Sequence, residues 1–123
     1  MAIRRFEEIE GWQLARQLTK AVYAATREGR FSRDYGLKDQ IQRSAGSVMH
    51  NLAEGFDAGS NPEFLRFLRY AQRSATEVQS QLYVALDQNY LSEDQFKHLS
   101  RLAAQARSKI GGLIVYLKSS NHP

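Results

Sequence analysis

Cysteine is absent from the 123-residue chain, which excludes disulfides, cysteine–zinc sites and thiol chemistry. Proline is nearly absent: Pro62 and Pro123 are the two examples, so little interrupts a helix. Long apolar runs are missing too, and none approaches the roughly 20 residues that a membrane-spanning helix needs. The opening segment MAIRRFEEIEG lacks the apolar core of a secretory signal, and the cytoplasm is the expected location. Neither sign of charge dominates. Seventeen basic residues face 13 acidic ones, for a net +4, which permits contact with nucleic acid without demanding it. There is no glycine-rich phosphate loop. His50, His98 and His122 are not clustered at metal-ligand spacing. Neither a metal nor a cofactor is expected. The length suits one domain with one modest core.

What remains is a set of helical periodicities. The first helix is expected over about residues 7–27, with Leu14, Leu18, Ala21 and Ala25 on one face. REGRFSRDYG then breaks the pattern. A second helix covers about residues 37–56, where Leu37, Ile41, Ala45, Val48 and Leu52 recur. It ends in EGFDAGSNP, with glycine just past the last periodic turn. The third begins at SNPEF, with Pro62 in the first turn and Asn61, or alternatively Ser60, as the cap. Phe64, Leu68, Ala71, Ala75, Val78, Leu82 and Ala85 then form an unbroken heptad seam. A Ser92–Gln95 capping box opens the fourth, whose seam is Phe96, Leu99, Ala103, Ala106, Ile110, Leu113 and Leu117. Gly111 and Gly112 interrupt it at about 1 kcal/mol each relative to alanine. Residues 1–118 are thus expected to form an all-α, antiparallel, up-down-up-down four-helix bundle, with 119–123 as a frayed tail.

Beside the apolar stripe of the second helix runs a polar one: Gln40, Ser44, Ser47, Asn51 and Glu54. Two readings are open. The stripe could be a helix–helix or subunit contact in which small polar groups satisfy one another. It could instead be a pocket with Glu54 as base, Ser44 or Ser47 as nucleophile and Asn51 as oxyanion donor. Ser47 and Glu54 are two turns apart, which disfavours a direct pair, and no histidine or lysine sits one turn from either serine on its own stripe.

The stretch YGLKDQIQRSAGSVMHNLAEG resembles the signature of a family of four-helix bundle proteins, some encoded by intervening sequences within bacterial large-subunit ribosomal RNA genes. Tyr35, Gly36, Leu37, Gln40, Arg43, Ser47, Asn51, Ala53, Glu54 and Gly55 carry the likeness. EFLRFLRYAQRSATEVQSQL resembles the family's third helix through Glu63, Phe64, Phe67, Leu68, Ala71, Ser74, Glu77, Gln81 and Leu82. FEEIEGWQLARQL is similar to its opening helix. Ser32 departs from the pattern, where many members have proline. The resemblance implies a ring-like homopentamer without enzymatic activity. A relative in diversity-generating retroelements, the accessory variability determinant, binds nucleic acid and a reverse transcriptase. That makes RNA or DNA an expected partner. The resemblance further suggests structural and assembly roles for Gln40, Arg43, Ser47, Asn51, Glu54 and Glu77, with Arg43 and Glu77 as ionic partners.

Opposite the heptad seam of the third helix, Arg66, Arg69 and Arg73 make a basic ridge flanked by Tyr70. Guanidinium forks suit phosphate oxygens and an aromatic ring can stack on a base. Arg4, Arg5, Arg27, Arg30 and Arg33 are read as solubility charges near one end of the bundle. His50 and Glu54 could pair. Trp12, Tyr23, Leu65 and Tyr83 lie off the seams and hint at a second buried face, and so at oligomerisation. The expected function is a non-enzymatic, pentameric bundle that binds RNA or DNA through its basic ridges. The alternative is a scaffold for a protein partner.

Overall fold

The computed structural model describes residues 3–120. They form four helices: α1 Glu10–Thr26, α2 Tyr35–Phe56, α3 Asn61–Asp87 and α4 Glu93–Ser120, with a 3₁₀ turn at Phe6–Glu8 before α1 and another at Gly29–Arg33 between α1 and α2. Among the described residues there is no strand, and no helix is long and apolar enough to cross a membrane. Helix α4 continues through Ser119 to Ser120. The rest of the expected tail, with His122, lies outside the described residues.

Each helix packs on its sequence neighbours, and α4 closes the square against α1. Cross-helix contacts fix the antiparallel order. Lys109 of α4 reaches Glu10 of α1 at 3.0 Å, while Leu99 shares a groove with Ala21 and Ala25 further along. Arg107 of α4 donates to Thr76 of α3 at 3.1 Å. The fold is the expected up-down-up-down four-helix bundle.

The seam of α3 is buried at every expected position, joined by Leu65 and Ser74. In α4, Phe96 and Leu113 are half-buried against the core, whereas Leu102 and Ile114 are buried. The largest departure is in α1, where the buried face is Gly11, Ala15, Leu18, Val22 and Thr26. Leu14, Ala21 and Ala25 are only half-buried at its flank. Apolar residues cover a broad arc of α1, so periodicity defines a stripe without fixing which part points inward. Gly11 accounts for part of the rotation. A Cβ there would lie 3.2 Å from Ile110 Cγ1, so α1 and α4 approach closely at that level. Thr26 is buried because its hydroxyl donates to the Val22 carbonyl at 2.9 Å and accepts from Gln42 Nε2 at 3.0 Å.

Helix starts follow their caps. Helix α1 begins at Glu10, because Phe6–Glu8 forms its own turn and extended, buried Ile9 precedes the helix. Asp34 caps α2, accepting from the Leu37 N–H at 3.1 Å, so that helix starts at Tyr35. Ser60, not Asn61, caps α3. At α4 both halves of the box form: Ser92 N–H donates to Gln95 Oε1 at 2.8 Å, and Gln95 N–H donates to Ser92 Oγ at 3.1 Å. Helix α4 passes through Gly111 and Gly112 without a break. Arg4 and Arg5 precede α1 while Arg27, Arg30 and Arg33 follow it. These arginines therefore sit at opposite ends of the bundle, one 17-residue helix apart, and do not share one end.

Candidate functional site

Two polar features stand out, both built on α3. The first is its contact with α2. Ser74 Oγ donates to Ser47 Oγ at 2.9 Å across the interface. Asn51 Nδ2 donates back along α2 to the Ser47 carbonyl at 2.8 Å and to Ser47 Oγ at 2.9 Å. One turn or so away, Gln81 Nε2 donates to Ser44 Oγ at 3.1 Å. The middle of the expected polar stripe is therefore a hydrogen-bonded seam, as buried polar groups require. Gln81 Oε1 is the exception: it is buried and unpartnered.

The ends of the stripe behave differently. Gln40 and Glu54 are exposed. The Ser47 hydroxyl is engaged by Asn51 and Ser74, and Glu54 makes no hydrogen bond to it. Arg43 pairs with Asp39 at 3.0 Å, one turn back on its own helix, in place of Glu77. An i,i+4 partner is already within reach, whereas Arg43 and Glu77 both point to solvent. His50 and Glu54 are exposed and form no ion pair among the described residues.

Below the seam the helices nearly touch. Gly55 is buried in the last turn of α2, which ends at Phe56 as expected. A Cβ there would lie 2.7 Å from Phe67 Cβ and 3.0 Å from Phe64 Cδ1. The sequence alone gives Ser74 and Gln81 no role in the seam, and it gives no sign that Gly55, in the expected last turn of α2, meets α3. The available signal was the heptad line Phe67, Ser74, Gln81, which runs beside the apolar seam of α3 on the side facing α2.

The second feature is the ridge on the outer face of α3. Arg66, Arg69 and Arg73 are exposed and Tyr70 is half-buried between them. The guanidinium carbons of Arg66 and Arg73 lie 5.8 and 5.7 Å from the Tyr70 ring centroid. Phe67 supports Tyr70 edge-on at 6.0 Å. Arg66 is also held by Glu63 at 2.7 Å, and this hydrogen bond, with the carboxylate's charge, raises its pKa further. Arg69 makes no hydrogen bond or ion pair among the described residues. The four ridge residues are thus brought together: Arg66, tied to Glu63, and Arg73 bracket the Tyr70 ring, and Arg69 is unpaired among the described residues. Such a surface offers guanidinium donors to phosphate oxygens and a planar face to a base.

Off the seams, Leu65 widens the core, whereas Tyr83 is exposed and leans on Phe96 at 5.0 Å between ring centroids. Tyr23 is exposed and Trp12 half-buried. No group of three or more potential metal ligands occurs among the described residues.

The fold is similar to the crystal structure of a protein of unknown function from the S23 ribosomal protein family of Bacteroides thetaiotaomicron. The TM-score is 0.78 at 18% identity, over 85% of this chain and 94% of that one. No curated protein matches. The model of one family, described as 23S rRNA-intervening sequence protein, matches residues 7–112.

Proposed function

The chain belongs to the 23S rRNA-intervening sequence protein family, and on that premise we propose that it works without catalysis, as a homopentameric bundle that binds RNA or DNA along the α3 ridge. The observation that carries the nucleic-acid reading is Tyr70 bracketed by the exposed Arg66 and Arg73. Bracketing arginines hold the ring in place, and a neighbouring unpaired Arg69 supplies a further phosphate donor. Repetition of the ridge in every subunit turns a modest +4 per chain into a multivalent field. Exposed apolar side chains support assembly: Tyr83 is 60% exposed, Val84 46% and Val115 67%. The polar seam then serves packing, since mismatched polar groups penalise wrong helix registers. Work on nucleic acid carries the cytoplasm with it as the compartment.

The test is the light-scattering mass of the purified protein, with and without a mixed pool of RNA and DNA, at low and moderate salt. A pentamer that gains mass with nucleic acid at low salt, and loses it as salt rises, supports the reading. A pentamer indifferent to nucleic acid moves it to a scaffold for a protein partner. A monomer overturns the assembly.

A further inference from the structure

A second aromatic–cation cluster lies on α1, away from the ridge. Glu7, Trp12, Gln13, Arg16, Gln17 and Lys20 line an open cleft of about 540 Å³. Trp12 is half-buried, held edge-on by Phe6 at 5.1 Å between ring centroids. The guanidinium of Arg16 lies over the indole at 5.9 Å from its centroid. Arg16 and Lys20 are exposed one turn apart, and neither makes an ion pair among the described residues. Like charges at this spacing repel on a helix, and Glu7 is the one carboxylate in the lining. Gln13 is anchored, donating to the Glu7 carbonyl at 2.9 Å. The cleft therefore joins an indole braced by Phe6, two cations without an ion-pair partner among the described residues, one carboxylate and two amide side chains.

We infer that this cleft is a ligand site that takes a nucleobase together with its own phosphate, as a free nucleotide or as one unit of a single strand. The indole supplies the stacking face. Arg16 covers that face through an exposed cation–π contact alone, which is weak. It swings outward onto the phosphate as the base takes its place. Lys20 adds a second cation to the same phosphate, and Gln17 presents both a donor and an acceptor to the base edge. The inference stands apart from the α3 ridge, because none of its residues belongs to it.

Trp12 is the single tryptophan of the chain, so its fluorescence reports this cleft alone. The full-length protein is titrated with adenosine 5′-monophosphate, adenosine, inorganic phosphate and single-stranded oligoadenylate. Saturable quenching by the monophosphate, with adenosine and phosphate each about tenfold weaker or worse, supports a free nucleotide. Saturable quenching by the oligonucleotide alone supports a strand unit. In both cases Arg16→Ala/Lys20→Ala weakens the effect about tenfold, while Arg66→Ala/Arg73→Ala leaves quenching by the monophosphate unchanged. Absence of saturable quenching by any of the four, or quenching that persists unaltered in Arg16→Ala/Lys20→Ala, overturns the inference. Either result leaves the ridge reading intact, since that rests on mass and salt dependence.

Discussion

The phenol of Tyr90 donates to Asp34 Oδ2 at 2.9 Å, joining two connections that lie 56 residues apart in the chain. The same Asp34 caps α2 through its other oxygen. Arg30 completes the closure, with its guanidinium 5.5 Å from the Tyr90 ring centroid and Nη2 donating to the Gln88 carbonyl at 2.9 Å. Phe31, fully buried, stacks beneath Tyr90. One end of the bundle is thus fastened by a carboxylate that caps α2 and holds the α3–α4 connection.

This contact carries a pH dependence. The hydrogen bond to Asp34 holds the Tyr90 pKa above its ordinary value, with desolvation and the carboxylate charge adding and Arg30 opposing. A group that holds its proton more tightly when folded stabilises fully below its unfolded pKa, about 10 for tyrosine. That contribution fades as pH rises through the raised folded value. Tyr90→Phe is therefore expected to melt below the native chain near neutral pH. The gap should close as the solution is taken above about pH 10. Thermal melts across that range check it, and a gap that widens with alkali would contradict it.

The Ser47–Ser74 bond predicts coupling across α2 and α3. Ser74→Ala removes a donor and should cost about 1 kcal/mol in urea unfolding. Because the two hydroxyls are partners, Ser47→Ala in the Ser74→Ala background should cost less than it does alone, by about 0.5 kcal/mol or more. Gln81→Met should behave otherwise. It gives up one bond to Ser44 but also removes the buried, unpartnered Oε1, so stability should change by less than about 0.5 kcal/mol.

Two glycines should respond to alanine with opposite sign. At Gly55 the added Cβ meets Phe67 Cβ at 2.7 Å, and the helices must part. Overpacking of this kind costs about 1–3 kcal/mol, more than alanine's helix preference of about 1 kcal/mol returns. At Gly112, exposed inside α4, an added Cβ meets nothing within 4 Å. Gly112→Ala should stabilise by about 0.4–1 kcal/mol. Denaturation midpoints of the two variants on either side of the native value would bear out both.

These cases also show what the sequence could disclose. The seam of α3 was readable in full because large and small apolar residues alternate there at strict heptad spacing with charged neighbours. The inward face of α1 was not, because alanines and leucines spread around it and packing, including the close approach at Gly11, decides its rotation. The polar stripe of α2 was visible, but which of its members pair depended on α3. Ser44 and Ser47 meet Gln81 and Ser74, while Gln40 and Glu54 meet water. Arg43 had a carboxylate on its own helix at i−4, and that local partner displaced the long-range one suggested by resemblance. The basic ridge was legible as spacing, whereas the bracketing of Tyr70 required the side chains.

That bracketing allows the ridge to be tested by strengthening it. Glu63 ties Arg66 at 2.7 Å and places a negative charge where phosphate would approach. Glu63→Gln should release Arg66 and tighten nucleic-acid binding, with a salt slope steeper by about 0.7–0.9, the value of one added phosphate contact. It should also lower stability by about 0.3–1 kcal/mol, since Glu63 is the acidic residue in the first turn of α3. Arg69→Ala has no ion pair to break, so it should weaken binding and flatten the slope by a similar step without loss of stability. A ridge that serves only solubility would give neither change in slope. Filter binding to single-stranded RNA over a salt series, run beside urea unfolding of the same variants, separates the two accounts: affinity must rise in Glu63→Gln although the fold is weaker.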